Sequence, residues 1–180
     1  MAAITEFFEE INEVFGFYFD IGLACHKAKT RLEEIQRQYG LSDDSPFTYL
    51  DAPPQGPPEQ EIKKALHVTP ISTLKQRLGE EGFDMLKAAE AVVIIVYHIW
   101  EEKYRRNLTD RDGKPMDDIG SDIMGDLRLV RNSIIHNKGI AKDDIVRCKV
   151  LKKFKPGDRI ALTKSDINQI IRAITADLSR

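Results

Sequence analysis

A chain of 180 residues, 42% hydrophobic and 31% charged, is long enough to bury a core without metal or disulfide support, and one domain spanning 1–180 is the expectation. Its formal net charge of −2 excludes a uniformly basic or acidic protein but hides an asymmetry. From Arg128 to Arg159 ten Lys or Arg face only Asp143, Asp144 and Asp158, a balance of about +7, so the remainder carries about −9.

The first residues, MAAITEFFEEINEVF, are acidic where an export signal is cationic, and no leader is expected. Ile4, Phe7, Phe8, Ile11, Val14, Phe15 and Tyr18 repeat at helical spacing, and the pattern resumes at Leu32 and Ile35. A long amphipathic helix is predicted, with Gly16 or Gly22 as points of bending. Cys25 and Cys148, with no CxxC pair, favour a reduced cytoplasmic setting. Residues 42–59, SDDSPFTYLDAPPQGPPE, contain five prolines and read as a loop.

A short helix, ISTLKQRL, is expected after Pro70, followed by a central helix from Phe83 to about Leu108. Its core, VVIIV, has the β-branched character of a strand, but MLKAAEA before it and WEEKYRR after it are helix formers. The apolar run Ala91–Trp100 is well short of the roughly 20 residues that cross a bilayer, so no membrane association is expected. His98, Glu102 and Arg105 share one edge of this helix, as a buried histidine and a surface ion pair or as auxiliary charge. After a DG turn, a helix from Ile119 to about Asn137 ends at Gly139. VRCKVLKKF and RIALT, flanking KPGD, predict a β-hairpin over 147–163, and Ser165 is placed as the cap of a last helix with Ile167, Ile170, Ile171, Ile174 and Leu178 inward. The expected fold class is therefore mainly α, a helical bundle with a small C-terminal hairpin and a terminal helix.

The helix from Ile119 carries RNSIIHNKG. At about 100° per residue, Ile119, Ile123, Leu127, Val130 and Ile134 form an apolar stripe about 80° wide. Asn132 and His136, four residues apart, lie about 140° from its centre, with Gly125 on the same line and Leu129 apolar beside them. Such a mixed strip suits a surface covered by a second helix, for which an identical subunit is one source, and it makes Gly125 and Leu129 candidate dimer contacts. Arg131 lies between the two faces. A guanidinium matches phosphate oxygens and an imidazole exchanges protons near neutrality, while an amide can orient either. The plainer alternatives are a helix-end histidine beside the last carbonyls and an arginine in a surface ion pair. The basic continuation, with Lys138, Lys149, Lys152 and Lys153 as candidate RNA contacts, points to a polyanionic partner or to a solvated lysine-rich surface. His26 and His67 have no companion pattern. No metal-ligand spacing, nucleophile elbow or phosphate-binding glycine loop is present, and no cofactor is expected.

Arg131-Asn132-x-x-x-His136 resembles the R-x(4–6)-H motif, with a polar residue after the arginine, of the HEPN superfamily of helical ribonuclease and nucleotide-binding domains. WEEKYRRNL and IMGDLRLVRNSIIHNKGIA are similar to its bacterial members, and the resemblance spans residues 83–141. It implies a bundle of helices, a homodimer with two motifs in one cleft, and metal-independent cleavage of single-stranded RNA by Arg131, Asn132 and His136. It also implies a toxin or phage-defence role, with an antitoxin or regulatory protein as a further partner. A noncatalytic dimerisation or nucleotide-binding module on the same scaffold is the alternative.

Overall fold

The computed structural model describes residues 2–53, 56–57, 60, 63, 65–113, 115 and 120–178. It is mainly helical. Helix α1 (Ala2–Tyr39) is long and unbroken, as its periodicity predicts. Where length alone suggests one domain, the chain divides into two compact units, Met1–Ile21 with Leu86–Arg180, and Gly22–Met85.

In the unit Gly22–Met85, strands β1 (Pro46–Tyr49) and β2 (His67–Pro70) pair antiparallel, Phe47 opposite Thr69 and Thr48 opposite Val68. The ladder therefore begins inside the stretch 42–59 that its prolines mark as loop; residues 54–55 and 58–59 of that stretch lie outside the described residues. Helix α2 (Ile71–Arg77) follows Pro70, whose fixed φ of −60° ends the strand and leads into the first turn. Ile71 and Leu74 bury against Leu32 of α1, with Phe47 and Leu78 packed alongside. Gly82 closes the next turn, where a Cβ would come within 2.2 Å of the Arg77 carbonyl oxygen, so only glycine fits.

The unit completed by Leu86–Arg180 contains most of α3 (Phe83–Ile99), a π-helical turn (Trp100–Tyr104) and α4 (Arg105–Asp112), which ends at Gly113 with φ 62°. The VVIIV run is helical, as its flanks predict. Phe7 of α1 packs edge-on to Trp100 and Tyr104, at 5.6 and 5.0 Å between ring centroids. Glu10 accepts hydrogen bonds from Lys103 Nζ and the Tyr104 hydroxyl, both 2.9 Å, which hold its carboxyl below the usual range. Helices α5 (Asp122–His136) and α6 (Lys164–Leu178) supply the rest of the core, Ile123, Leu127 and Val130 against Ile167, Ile170 and Ile174. Ser121 caps α5 by accepting the Met124 N–H, and the predicted start at Ile119 lies outside the described residues. Among the described residues no helix is long and apolar enough to cross a membrane.

Two local expectations need correction. Residues 147–163 form no hairpin: a 3-10 turn (Asp143–Arg147) leads into an irregular return, and the segment's one ladder contact is an isolated bridge between Ile140 and Arg159. The cause is a competing acceptor. Asp126 of α5, buried, takes the backbone N–H groups of Lys149, Val150 and Leu151 at 2.8, 2.6 and 2.7 Å, which removes the donors a strand partner would use. Helix α6 is capped by Thr163 rather than Ser165, for Asp166 accepts the Thr163 N–H and hydroxyl while the Thr163 oxygen receives the Asp166 N–H.

Candidate functional site

Helix α5 is buried over most of its circumference, and this decides what its polar residues can do. The predicted stripe is correct at Ile123, Leu127 and Val130, each fully buried. A second buried face carries Asp126, Leu129 and Ser133 at i, i+3 and i+7. Its cover comes from the same chain: Asp126 holds residues 149–151, and the Ser133 hydroxyl donates to the Leu129 carbonyl and accepts the Lys142 N–H. Leu129, expected at a dimer seam, is thus 6% exposed and belongs to the unit's own core. The periodicity of α5 detects that face as apolar in part but cannot tell whose chain covers it.

Past its first residue, Asp122, what remains open to solvent is an arc of about 100° with Gly125, Arg128, Ile135 and His136 exposed and Asn132 half-buried among them. Gly125 is exposed, and a Cβ built there meets nothing within 4 Å. Ile135 is an exposed apolar residue in this arc. His136 ends the helix, where Asn137 is the C-cap and Lys138 and Gly139 turn the chain through positive φ of 54° and 77°. Gly139 is the predicted stop, and its N–H returns to the Ser133 carbonyl at 3.1 Å.

Arg131 lies at one border of this arc. Its Nη1 donates to Asn132 Oδ1 at 3.1 Å, and its guanidinium carbon stands 5.9 Å from the centre of the Tyr97 ring on α3. Arg131 and His136 are five positions apart, about 7.5 Å along the axis and about 140° around it. Within one copy they flank the exposed arc rather than meet.

Tyr97 connects the motif to a second group. A cleft of about 190 Å³ is lined by Tyr97, Glu101, Arg105, Ser121, Gly125 and Arg128. Arg105 Nη1 donates to both carboxylate oxygens of Glu101, at 3.1 and 3.0 Å. The sequence places Arg105 beside Glu102 and His98; instead Glu102 pairs with Arg106 and His98 is exposed. In a π-helical turn residues four or five apart align better than three apart, which favours Glu101. Burial, then the charge and hydrogen bond of Glu101, push the Tyr97 hydroxyl's pKa up, against Arg128 and Arg105. Glu101 and Arg128 are the cleft residues that motif reading misses; the i,i+4 spacing of Glu101 and Arg105 signals the first, and Arg128 shows only as the start of the basic tract.

The lysines divide. Lys138 and Lys152 are exposed. Lys149 pairs with Asp122 at 2.6 Å, and Lys153 with Asp166 at 2.6 Å and the Ala161 carbonyl at 2.9 Å, so Lys153 helps to fasten the start of α6. Cys148 is buried, with its thiol pushed up to about 12 by burial and then by Asp126 and Asp144, which makes it a poor nucleophile. Among the described residues no group of three or more His, Cys, Asp or Glu side chains is placed to hold a metal ion.

No family model, curated protein or solved structure matches this chain. The likeness to HEPN domains rests on the motif residues and their helical setting.

Proposed function

We propose that the chain is a metal-independent endoribonuclease of the HEPN type, acting in the cytoplasm on single-stranded RNA as a homodimer. The observation that carries this reading is that Asn132 and His136 lie in the one solvent-open arc of an otherwise buried helix, with Arg131 oriented at its border by Asn132 and Tyr97. In the reaction a ribose 2′-OH attacks phosphorus, the P–O5′ bond breaks, and protons leave the 2′-oxygen and reach the 5′-oxygen. His136 moves a proton, Arg131 meets the charge on the phosphorane, and Asn132 orients the guanidinium. Two protons must move: His136 takes the one from the 2′-oxygen, and water supplies the one to the 5′-oxygen. Because Arg131 and His136 flank the arc, a partner laid along Asn132 and Ile135 about a two-fold axis parallel to α5, leaving Gly125 open, sets the Arg131 of one copy toward the His136 of the other. A toxin or phage-defence role, with an antitoxin or regulatory partner, belongs to the same reading.

The test is incubation of single-stranded RNA with the purified chain in EDTA. The expected products carry a 2′,3′-cyclic phosphate and a 5′-hydroxyl, and His136→Ala abolishes them. Cleavage at wild-type rate in that variant overturns the role of His136, and cleavage only with added metal overturns the mechanism. RNA binding without cleavage makes the chain a noncatalytic binding module.

A further inference from the structure

The cleft between α3, the π-helical turn and α5 holds two guanidiniums and one carboxylate at the edge of the motif, and none of the motif residues lines it. We infer that this cleft is a backbone-phosphate subsite for single-stranded RNA, in which Arg105 and Arg128 grip a phosphate flanking the one at the motif, and Glu101 occupies Arg105 until RNA displaces it. The inference rests on the reading of α5 as an RNA-contacting helix, but it requires binding only, not cleavage.

Size and chemistry point to the ligand class. At about 190 Å³ the cleft is smaller than the roughly 300 Å³ at which pockets for drug-sized molecules begin, so it admits a phosphate with part of its sugar rather than a whole nucleoside. Both Glu101 oxygens lie on Arg105, the same two-oxygen approach that a phosphate makes to a guanidinium. The pair sits at partial exposure, 18% for the Arg105 side chain and 30% for Glu101, where an exchange of anions costs little desolvation. Arg128 is exposed on the opposite wall and Gly125 adds no side chain to it, so a sugar-phosphate backbone can approach closely. Tyr97 lines the cleft and also lies against the guanidinium of Arg131, which makes the cleft and the motif neighbours along one track. The π-helical turn is a local irregularity of the kind often found at such sites.

The pairing of Glu101 gives the test a sign that a purely structural ion pair does not share. The probe is a fluorescent single-stranded RNA bearing 2′-O-methyl groups, which cannot be cut by its own 2′-oxygen, titrated into the full chain at two salt concentrations. Arg128→Ala is expected to weaken binding about three- to tenfold and to reduce the slope of log affinity against log salt by about 0.7, one single-strand phosphate contact. Glu101→Gln is expected to tighten binding by about threefold or more, because one competing carboxylate is neutralised while the side chain's shape is kept. Affinity unchanged in both variants, or weakened by Glu101→Gln with its thermal midpoint retained, overturns the inference, as does a wild-type chain that binds no RNA. If Glu101→Gln fails to fold, Arg128→Ala, altered only at an exposed side chain, decides alone. Competition identifies the ligand: a nucleoside monophosphate that competes as well as RNA on a molar basis makes this a mononucleotide site, and polyglutamate that does so makes it an acidic-peptide site. Either outcome overturns the RNA assignment. Absence of cleavage of unmodified RNA by the wild-type chain, with these binding effects intact, refutes the ribonuclease reading and leaves the subsite standing.

Discussion

Arg131 donates from Nη1 to the side-chain oxygen of Asn132, its neighbour in the chain, at 3.1 Å. The bond fixes a planar fork at the border of the exposed arc of α5, and an ammonium reproduces its charge but not its plane. Arg131→Lys is therefore expected to lower single-turnover RNA cleavage by about 10²-fold, the scale of removing one preorganised donor to a developing oxyanion. Asn132→Ala, which frees the fork without removing it, should cost less. Rates measured in EDTA at saturating enzyme check the order, and equal activity of Arg131→Lys and wild type refutes the role of the fork.

Asp126 is central to the shape of the site although it cannot touch a substrate. Its carboxylate closes three backbone N–H groups of the return segment, and Asp126→Ala strands them under cover. With hydrogen bonds to a charged group worth about 1.5–3 kcal/mol each and partial relaxation toward water, a loss of about 3 kcal/mol or more is expected. A urea midpoint unchanged by Asp126→Ala contradicts this. Leu129, on the same face, should become more accessible in the variant.

How much of this was legible depends on what covers each face. Ile123, Leu127 and Val130 pack against a regular helix, and a repeating partner leaves a repeating pattern. Leu129 and Ser133 lie toward an irregular return whose hold on α5 runs through Asp126 and Ser133, and such a hold leaves no period in the sequence. The missing hairpin has the same cause, since β-branched residues at 145–151 look strand-like until a carboxylate 23 to 25 residues upstream claims their donors. The ladder that does form leaves little trace in the sequence, because β1 lies within a proline-rich stretch and its partner begins eighteen residues after β1 ends. Arg131, Asn132 and His136 are legible as a motif; Glu101 and Arg128 are not, because the cleft joins residues of three helices and a π-helical turn.

Asp166 supplies a pH dependence with a definite sign. Burial works against its charge, but the Lys153 ammonium and the Thr163 N–H and hydroxyl outweigh it, so its folded pKa lies below the ordinary value. A depressed carboxyl contributes stability that is present above its unfolded pKa, about 3.9, and is lost as pH falls through the folded value. Asp166→Asn should lower stability near neutrality and narrow its gap to the wild type as pH drops below about 4. Lys153→Ala should act in the same direction, whereas Lys152→Ala, altering an exposed side chain, should leave the midpoint within about 0.5 kcal/mol. A gap between wild type and Asp166→Asn that is constant from pH 7 to pH 3 refutes this assignment.

The arrangement of α5 makes a stoichiometric prediction about the ribonuclease reading. Arg131 and His136 stand about 140° apart around the helix, so a phosphate held by both within one copy has to cross the exposed arc, while two facing copies supply the pair directly. Arg131→Ala and His136→Ala should each be inactive alone. Mixing them after co-refolding produces heterodimers in which one composite site has lost both groups and the other keeps both. With random assortment about half the dimers are mixed, and recovery of a substantial fraction of activity is expected if one intact composite site suffices. Rescue should follow the fraction of heterodimer resolved by native mass spectrometry. Absence of rescue in a mixture shown to contain heterodimers means that each copy works with its own pair or that both sites act together, and a chain that remains monomeric at micromolar concentration removes the composite site altogether.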